Sequence, residues 1–126
     1  MPVRVPVEAR TGYEYDPDVI CGAITPKTRA IFVNSPHNPT GAVLSEETLR
    51  AIVGLARAND LWIVSDEAYE DVLYEPYKHC SIGSVADDWA DRVISLFSFS
   101  KSYAMSGLRV GYLATRSAIL RHRVQK

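Results

Sequence analysis

The strongest constraint on the fold is that short apolar runs alternate along the chain with segments of helical periodicity. Four runs have the length and composition of strands: Ala30–Asn34, Leu61–Val64, Arg92–Phe97 and Val110–Ala114. Helix signals lie between the first three of them, and strands that alternate with helices form parallel sheets with covered faces. The sequence therefore predicts an α/β fold around a mostly parallel, helix-covered sheet. A further short strand is predicted at Val3–Val7.

The clearest predicted helix begins after Ser45, whose hydroxyl can cap the first turn. Glu46 and Glu47 follow it, where the helix dipole favours negative charge. The apolar residues of this helix recur at the spacing of one buried face: Leu49, Ile52, Val53 and Ala56. Three shorter helical stretches are predicted: from Asp16-Pro17 to Ala23, at Val85–Ala90 and at Ala118–Gln125.

The last predicted strand is expected to run antiparallel to the third. Only Ser98–Arg109 separates the two, and Lys101–Gly107 within this segment is predicted to be a loop. A parallel return needs a crossover of about a dozen residues or more, usually a helix. We therefore expect one antiparallel strand in an otherwise parallel sheet.

Composition and charge exclude several classes of function. The chain has 126 residues, enough for one domain, and its 14 basic and 15 acidic side chains give no charge excess that would attract nucleic acid or an anionic membrane. No apolar stretch has the length of a membrane span, and charged residues interrupt the first twelve positions, where a signal peptide would need an apolar run. Cys21 and Cys80 lie far apart and outside any metal-binding spacing. We therefore expect a cytoplasmic protein with reduced thiols and no metal site.

Polar side chains follow the predicted carboxyl ends of the three parallel strands. In strand order they are Asn34 and Asn38, then Ser65 and Asp66, then Ser98, Ser100 and Lys101. Ligands bind at the carboxyl ends of the strands in open α/β sheets, so these side chains predict a binding site at one edge of the sheet.

Asp66 and Lys101 are the most informative members of this group. A carboxylate beside a buried strand costs desolvation energy unless it meets a positive partner, although Asp66 alone would equally suit a helix cap. A lysine in a short loop between two strands is held in place, although a lone lysine is a surface residue in most proteins. Together they form the pair that a pyridoxal-phosphate (PLP) enzyme requires, a lysine for the Schiff base and an acid for the pyridine nitrogen.

Three motifs give the chain a family resemblance. They are Asn34-Ser35-Pro36-His37-Asn38-Pro39-Thr40-Gly41, then Ser65-Asp66-Glu67-Ala68-Tyr69, then Ser98-Phe99-Ser100-Lys101 followed by Gly107-Leu108-Arg109-Val110-Gly111-Tyr112. In this order and spacing they resemble the class I/II aminotransferases of the aspartate aminotransferase superfamily, which are PLP enzymes of fold type I. The resemblance covers essentially the whole chain. It implies that residues 1–126 are a single partial domain, a segment of the PLP-binding large domain, with the small domain absent.

The resemblance implies a role for each catalytic candidate. Lys101 would form the Schiff base with PLP and move the substrate proton, and Asp66 would pair with the pyridine nitrogen and so make the cofactor an electron sink. Tyr69 and Asn38 would donate hydrogen bonds to the phenolic oxygen of the cofactor. The implied catalytic residues are Lys101, Asp66 and Tyr69.

The remaining candidates are implied to hold the cofactor. Ala68 would pack against one face of the ring, and Ser98 and Arg109 would hold the phosphate. Ser100 is either a second phosphate contact or a small loop residue. The Asn38–Pro39 peptide is predicted to be cis. Two plainer interpretations stay open, namely that residues 38–41 are only a turn and that Arg109 is a surface cation.

The implied function is transfer of an amino group between an α-amino acid and a 2-oxo acid by a PLP-dependent homodimer that binds neither nucleic acid nor membrane. The alternatives are another fold type I enzyme (a carbon–sulfur lyase or a decarboxylase), the PLP-sensing domain of a transcriptional regulator, and an inactive remnant. Tyr69 favours transamination, because the carbon–sulfur lyases often have histidine there. This fragment alone is expected to be inactive, because relatives place the arginine that binds the substrate carboxylate outside the matching region.

Overall fold

A four-stranded sheet forms the centre of the molecule in the computed structural model, which describes residues 1–124. Its strands are β1 (Ala30–Asn34), β2 (Trp62–Asp66), β3 (Val93–Ser98) and β4 (Gly111–Ala114), in the order β1-β2-β3-β4. β1, β2 and β3 are parallel, and β4 pairs antiparallel with β3. The predicted α/β class and the single antiparallel strand are both confirmed.

Within the described residues, α1 (Pro17–Ala23) precedes the sheet, α2 (Glu46–Ala58) and α3 (Phe99–Ser102) lie between strands, and α4 (Ala118–Val124) follows the last strand. Short 3₁₀ segments lie at Ala9–Thr11, Ile82–Ser84, Asp87–Arg92 and Ser106–Leu108. The predicted caps are confirmed, because the Asp16 carboxylate accepts from the backbone N–H groups of α1 and the Ser45 hydroxyl accepts from Thr48 N in α2.

The hydrophobic core lies between α2 and one face of the sheet. The four predicted core residues of α2 are buried, and they belong to one cluster with Val33 of β1 and Ile63 of β2, which have no exposed surface. Burial of each such side chain contributes about 1.5–3 kcal/mol. The opposite face of β1 is more open, because Phe32 keeps 62% of its surface exposed.

The close approach of β3 and β4 depends on a glycine. A Cβ atom on Gly111 would lie 2.5 Å from the backbone oxygen of Phe97, which is closer than nonbonded atoms can approach. Because Gly111 has no Cβ atom, β4 can pair closely with β3 at Ser98.

Several predicted elements differ from the structure, each for a local reason. Val3–Val7 is not a strand, because no described strand lies beside it and Pro6 lacks an N–H donor. The helix expected at Val85–Ala90 does not form: Val85 and Ala86 are not helical and a 3₁₀ segment begins only at Asp87, whose φ of 47° interrupts a continuous helix. β2 extends beyond its apolar run to Asp66, because backbone pairing with both neighbours continues there. Lys101 lies in α3 and not in a loop.

α4 and the two cysteines are the remaining predicted features. α4 begins where it was expected, and the predicted end at Gln125 lies outside the described residues. Cys21 and Cys80 are free thiols. Within residues 1–124, no helix combines the length and apolar character needed to cross a membrane, and no group of three His, Cys, Asp or Glu side chains is placed to hold a metal ion.

Candidate functional site

The predicted site residues lie at the edge where β1, β2 and β3 end. Asn34 pairs in register with Asp66, and Asp66 pairs with Leu96 of β3, two residues before Ser98. β1 and β2 therefore end level with each other, and β3 extends two residues further in the same direction. This geometry fulfils the first condition for a shared site.

Asn34 connects the end of β1 to both neighbours. Its side-chain amide donates to the backbone oxygen of Asp66 at 3.1 Å, and its side-chain oxygen accepts from Asn38 N at 2.8 Å. A single half-buried side chain thereby fixes the loop that carries Asn38 relative to the strand that carries Asp66. Its sequence signal was only its place at the end of a strand.

The loop from Ser35 to Gly41 is held by its own hydrogen bonds. His37 Nδ1 lies 2.7 Å from the Thr40 hydroxyl, and Gly41 N donates to the backbone oxygen of His37 at 2.7 Å. The buried Ser35 hydroxyl accepts from Leu44 N at 3.1 Å. The predicted cis peptide at Asn38–Pro39 is confirmed, and Ser35–Pro36 and Glu75–Pro76 are also cis. The loop presents the Asn38 side chain to solvent.

The end of β2 turns sharply after Asp66. One carboxylate oxygen of Asp66 accepts from Ala68 N at 3.2 Å, so the acid orders the turn that leads to Tyr69. The sequence places Tyr69 three residues beyond Asp66, on one face of a predicted helical turn, but residues 68–71 form turns instead. Asp66, Ala68 and Tyr69 are all half-buried. The turn keeps Tyr69 beside the strand end instead of carrying it away along a helix.

Lys101 approaches this turn from the neighbouring strand. Ser98 ends β3 and caps α3 by accepting from Ser100 N at 3.2 Å, which starts the short helix that carries Lys101. The Lys101 Nζ atom lies 5.3 Å from the centroid of the Tyr69 ring. This cation–π distance brings the predicted lysine to the end of β2, on the same edge as Asp66.

Arg109 lies at the corner where β3 ends and β4 begins, which we call the β3–β4 corner, because the chain turns back there to form the antiparallel strand β4. Phe99 N donates to the backbone oxygen of Val110 at 3.2 Å, and Ser98 pairs with Gly111, so Arg109 lies beside the end of β3. Its guanidinium is exposed and donates to the backbone oxygen of Ser106 at 2.9 Å.

An aromatic cluster supports this corner. Phe97 of β3 stacks on Tyr112 of β4 with ring centroids 4.6 Å apart. Phe99 contacts Tyr103 at 5.2 Å and Tyr112 at 5.7 Å. Tyr103 packs against Phe99 here, although 60% of its surface stays exposed.

A cleft of about 340 Å³ opens between the loop after β1 and the turn after β2. Asn38 and Tyr69 both line it, together with the apolar and aromatic residues Pro36, Pro39, Val43, Val72, Leu73, Tyr74 and Tyr77. A second cleft of about 400 Å³ lies at the opposite end of the sheet and contains none of the predicted site residues. The structure therefore brings Asn38 and Tyr69 to one opening, whose lining does not include Asp66 or Lys101.

Sequence reasoning missed a buried carboxylate–histidine pair directly behind the site. Glu67 is 1% exposed, and its carboxylate meets His79 Nε2 at 2.7 Å and the Ser81 hydroxyl at 3.1 Å. Burial raises the pKa of the Glu67 carboxyl, but hydrogen bonds from His79, Ser95 and Ser81 outweigh burial, so the pKa lies below its usual value. Strand alternation offered a signal, since a residue next to the outward Asp66 must point to the buried side.

The matching family model describes class I and II aminotransferases and spans residues 1–125. The chain therefore belongs to the class I and II aminotransferase family. It is 42% identical over 120 residues to arginine–pyruvate transaminase AruH of Pseudomonas aeruginosa, and 41% identical over 121 residues to a probable aspartate/prephenate aminotransferase of Thermus aquaticus. Each alignment covers about 95% of this chain but only 30% of the relative.

Solved structures give the same result for the fold. The chain superposes on an aspartate aminotransferase of Thermus thermophilus with a TM-score of 0.87 at 40% identity, over 94% of this chain and 30% of that one. It also superposes on Pyrococcus protein-A1 with a TM-score of 0.92 at 40% identity, over 98% of this chain and 32% of that one. The chain thus spans about a third of the length of the proteins it matches.

Proposed function

We propose that the protein is a PLP-dependent aminotransferase that moves an amino group between an α-amino acid and a 2-oxo acid through a Schiff base at Lys101. The single observation that carries this proposal is the Lys101 amine 5.3 Å from the Tyr69 ring, at the edge where Asp66 ends β2. An amine and a carboxylate at one sheet edge, with a phenol beside the amine, match the needs of a PLP enzyme. The match to named aminotransferases along 95% of the chain supports the same reaction.

The polar groups at the site complement the parts of PLP. A carboxylate (Asp66) suits the pyridine nitrogen, and a phenol (Tyr69) and an amide (Asn38) suit the phenolic oxygen. The lysine amine suits the aldehyde. The phosphate would be held by the hydroxyls of Ser98 and Ser100 and the guanidinium of Arg109, from the segment between β3 and β4. PLP would supply an electron sink for the substrate's α-carbon.

Each residue has a defined task in this proposal. Asp66 would keep the pyridine nitrogen protonated, the bond from Ala68 N holds its carboxylate in place, and the Ala68 methyl would pack against the ring. Tyr69 and Asn38, which line the same cleft, would donate to the phenolic oxygen. Lys101 holds the proton that moves to and from the α-carbon. The three catalytic residues are thus Lys101, Asp66 and Tyr69.

The wider assignments rest on family membership. We infer that residues 1–126 form one part of a PLP-binding large domain, that the fragment alone is inactive, and that the active form is a cytoplasmic homodimer acting on small-molecule substrates.

The test uses the protein expressed from its complete open reading frame. Addition of PLP should produce an absorbance band near the boundary of the visible and ultraviolet, and Lys101→Ala should abolish it. Lys78→Ala, an exposed lysine on the loop beyond Tyr69, is the matched control and should keep the band. A band that survives Lys101→Ala would refute the assignment of the lysine.

Product analysis then separates the reaction types. Pyridoxamine phosphate formed from an amino acid, with the matching 2-oxo acid, supports transamination. Ammonia and pyruvate formed from a cysteine conjugate, without pyridoxamine phosphate, would instead identify a carbon–sulfur lyase.

A further inference from the structure

The buried pair behind the site closes a loop that carries a proposed catalytic residue. Glu67 follows Asp66 directly, and its carboxylate contacts His79, twelve residues further on, and Ser81. Glu67 N also donates to the backbone oxygen of Leu96 at 2.9 Å, which attaches this point to β3. We call Glu67, His79 and Ser81 the neck of the loop 67–81.

The neck is the part of this loop that is anchored to the core. The loop beyond it is largely exposed, with Tyr74 at 85% and Tyr77 at 60%. Its backbone hydrogen bonds are local turns, such as Glu70 N to the oxygen of Glu67 and Val72 N to the oxygen of Tyr69. Local turns shape the loop but do not orient it on the sheet, so the neck sets its orientation.

The buried Glu67 carboxylate of the neck also needs its hydrogen-bond partners. A buried carboxylate that loses one partner is left as an uncompensated charge, which costs more than an ordinary hydrogen bond. The His79 side chain is 12% exposed, and its Nδ1 atom is buried without a hydrogen-bond partner among the described residues. An unprotonated Nδ1 leaves only a lone pair unsatisfied, so the tautomer with the proton on Nε2, directed at Glu67, is favoured.

We propose that Glu67 and His79 are positioning residues that hold Tyr69, two residues from Glu67, against the amine of Lys101. This inference rests on the proposed function, because it assigns the pair a role through Tyr69. A purely structural pair would stabilise the fold equally but would leave the properties of bound PLP unchanged. The two roles therefore differ in what a substitution at the neck does to the cofactor.

The experiment is a double-mutant cycle between His79→Leu and Tyr69→Phe in the protein from the complete open reading frame. Two quantities are measured: the dissociation constant of PLP and the pH dependence of its absorbance band. His79→Leu should weaken PLP binding by about tenfold and shift the pH dependence in the direction that Tyr69→Phe does. In the Tyr69→Phe background it should add little, because residues that act through one contact are not additive.

Controls separate position from folding. His122→Leu makes the same substitution at an exposed histidine of α4 and should change neither quantity. His79→Gln keeps an N–H donor for Glu67 and should recover part of the binding. If His79→Leu does not fold, Ser81→Ala removes one neck hydrogen bond without a large cavity and enters the same cycle with a smaller expected effect.

The outcomes are distinct. Effects of His79→Leu and Tyr69→Phe that simply multiply, or a lower unfolding midpoint with unchanged cofactor properties, would overturn the positioning role and leave the proposed function standing. A band that persists in Lys101→Ala would instead overturn the proposed function itself.

Discussion

The two halves of the candidate site are built differently. The half after β1 and β2 is fixed by buried or half-buried polar groups, with Ser35 at 3% and Glu67 at 1% exposure. The half formed by α3 and the return to β4 is exposed from Tyr103 to Tyr112, and aromatic contacts are its main support.

This difference matches what each half would have to do. Groups that bind the ring of a cofactor work best when their positions are fixed in advance, and buried hydrogen bonds provide that. A lysine that exchanges between a covalent bond and a free amine must move, and the exposed half has few buried contacts to hold it. The comparison leads to four predictions about stability, measured by urea unfolding of the protein from its complete open reading frame.

The largest effect is expected at the neck. Glu67→Gln should lower the free energy of unfolding near neutral pH by about 1.5–3 kcal/mol, because it removes the charge from the buried carboxylate that accepts hydrogen bonds from His79 and Ser81. The folded-state pKa of Glu67 lies below its unfolded value of about 4.3, so the wild-type contribution is present above that pH and is lost as the pH falls through the lowered pKa. Glu67→Gln should therefore flatten the acid side of the stability profile. Glu75→Gln, in the exposed loop, should not, and an unchanged profile in Glu67→Gln would contradict the prediction.

The exposed half should be most sensitive at Gly111. Gly111→Ala places a methyl group 2.5 Å from the backbone oxygen of Phe97, so the strands must separate at a cost of about 1–3 kcal/mol. Gly107→Ala is the matched control, because a methyl group there meets no atom within 4 Å. Equal effects of the two substitutions would show that the approach of the strands is not limiting.

Asn34→Ala should cost about 1–2 kcal/mol, because it leaves Asn38 N and the backbone oxygen of Asp66 without their side-chain partner. Asn59→Ala, at the exposed end of α2, also removes a hydrogen bond and should cost less. Equal losses of unfolding free energy in Asn34→Ala and Asn59→Ala would show that half-buried polar groups at the site contribute no more to stability than exposed ones.

The smallest effect is expected in the aromatic cluster. Tyr103→Leu should cost about 0.5–1.5 kcal/mol through loss of the edge contact with Phe99. Tyr74→Leu, at a tyrosine that is 85% exposed, should be nearly neutral. A larger loss at Tyr103 than at Asn34 would reverse the comparison between the halves.

The sequence predicted the parts of the fold that local patterns determine. The α2 face and both helix caps followed from spacing and from Ser45 and Asp16, and the antiparallel β4 followed from the length of the preceding segment. Val3–Val7 failed because a strand needs a neighbour, which no local pattern reports. The helix predicted at Val85–Ala90 does not form because Asp87 has a positive φ, and a positive φ at a non-glycine residue has no clear sequence signal.

The candidate site divides in the same way. The motifs contain the candidates Asp66, Tyr69 and Lys101, whose polar or charged side chains are unusual so close to buried strands. They did not identify Glu67 and His79 as a pair, because twelve residues separate them and only the folded loop brings them together. Contacts between distant residues depend on tertiary structure, so sequence spacing alone could not predict them.

The register of β2 gives two adjacent acids opposite surroundings. Asp66 stays half-buried at the end of the strand and Glu67 faces the interior, because side chains alternate along a strand. Deletion of one residue from the middle of β2 would exchange them, so that Glu67 would take the half-buried position and Asp66 would point into the interior, away from His79. The alternation of side chains along β2, a strand of five residues, therefore determines which of the two carboxylates is partly exposed and which one is buried.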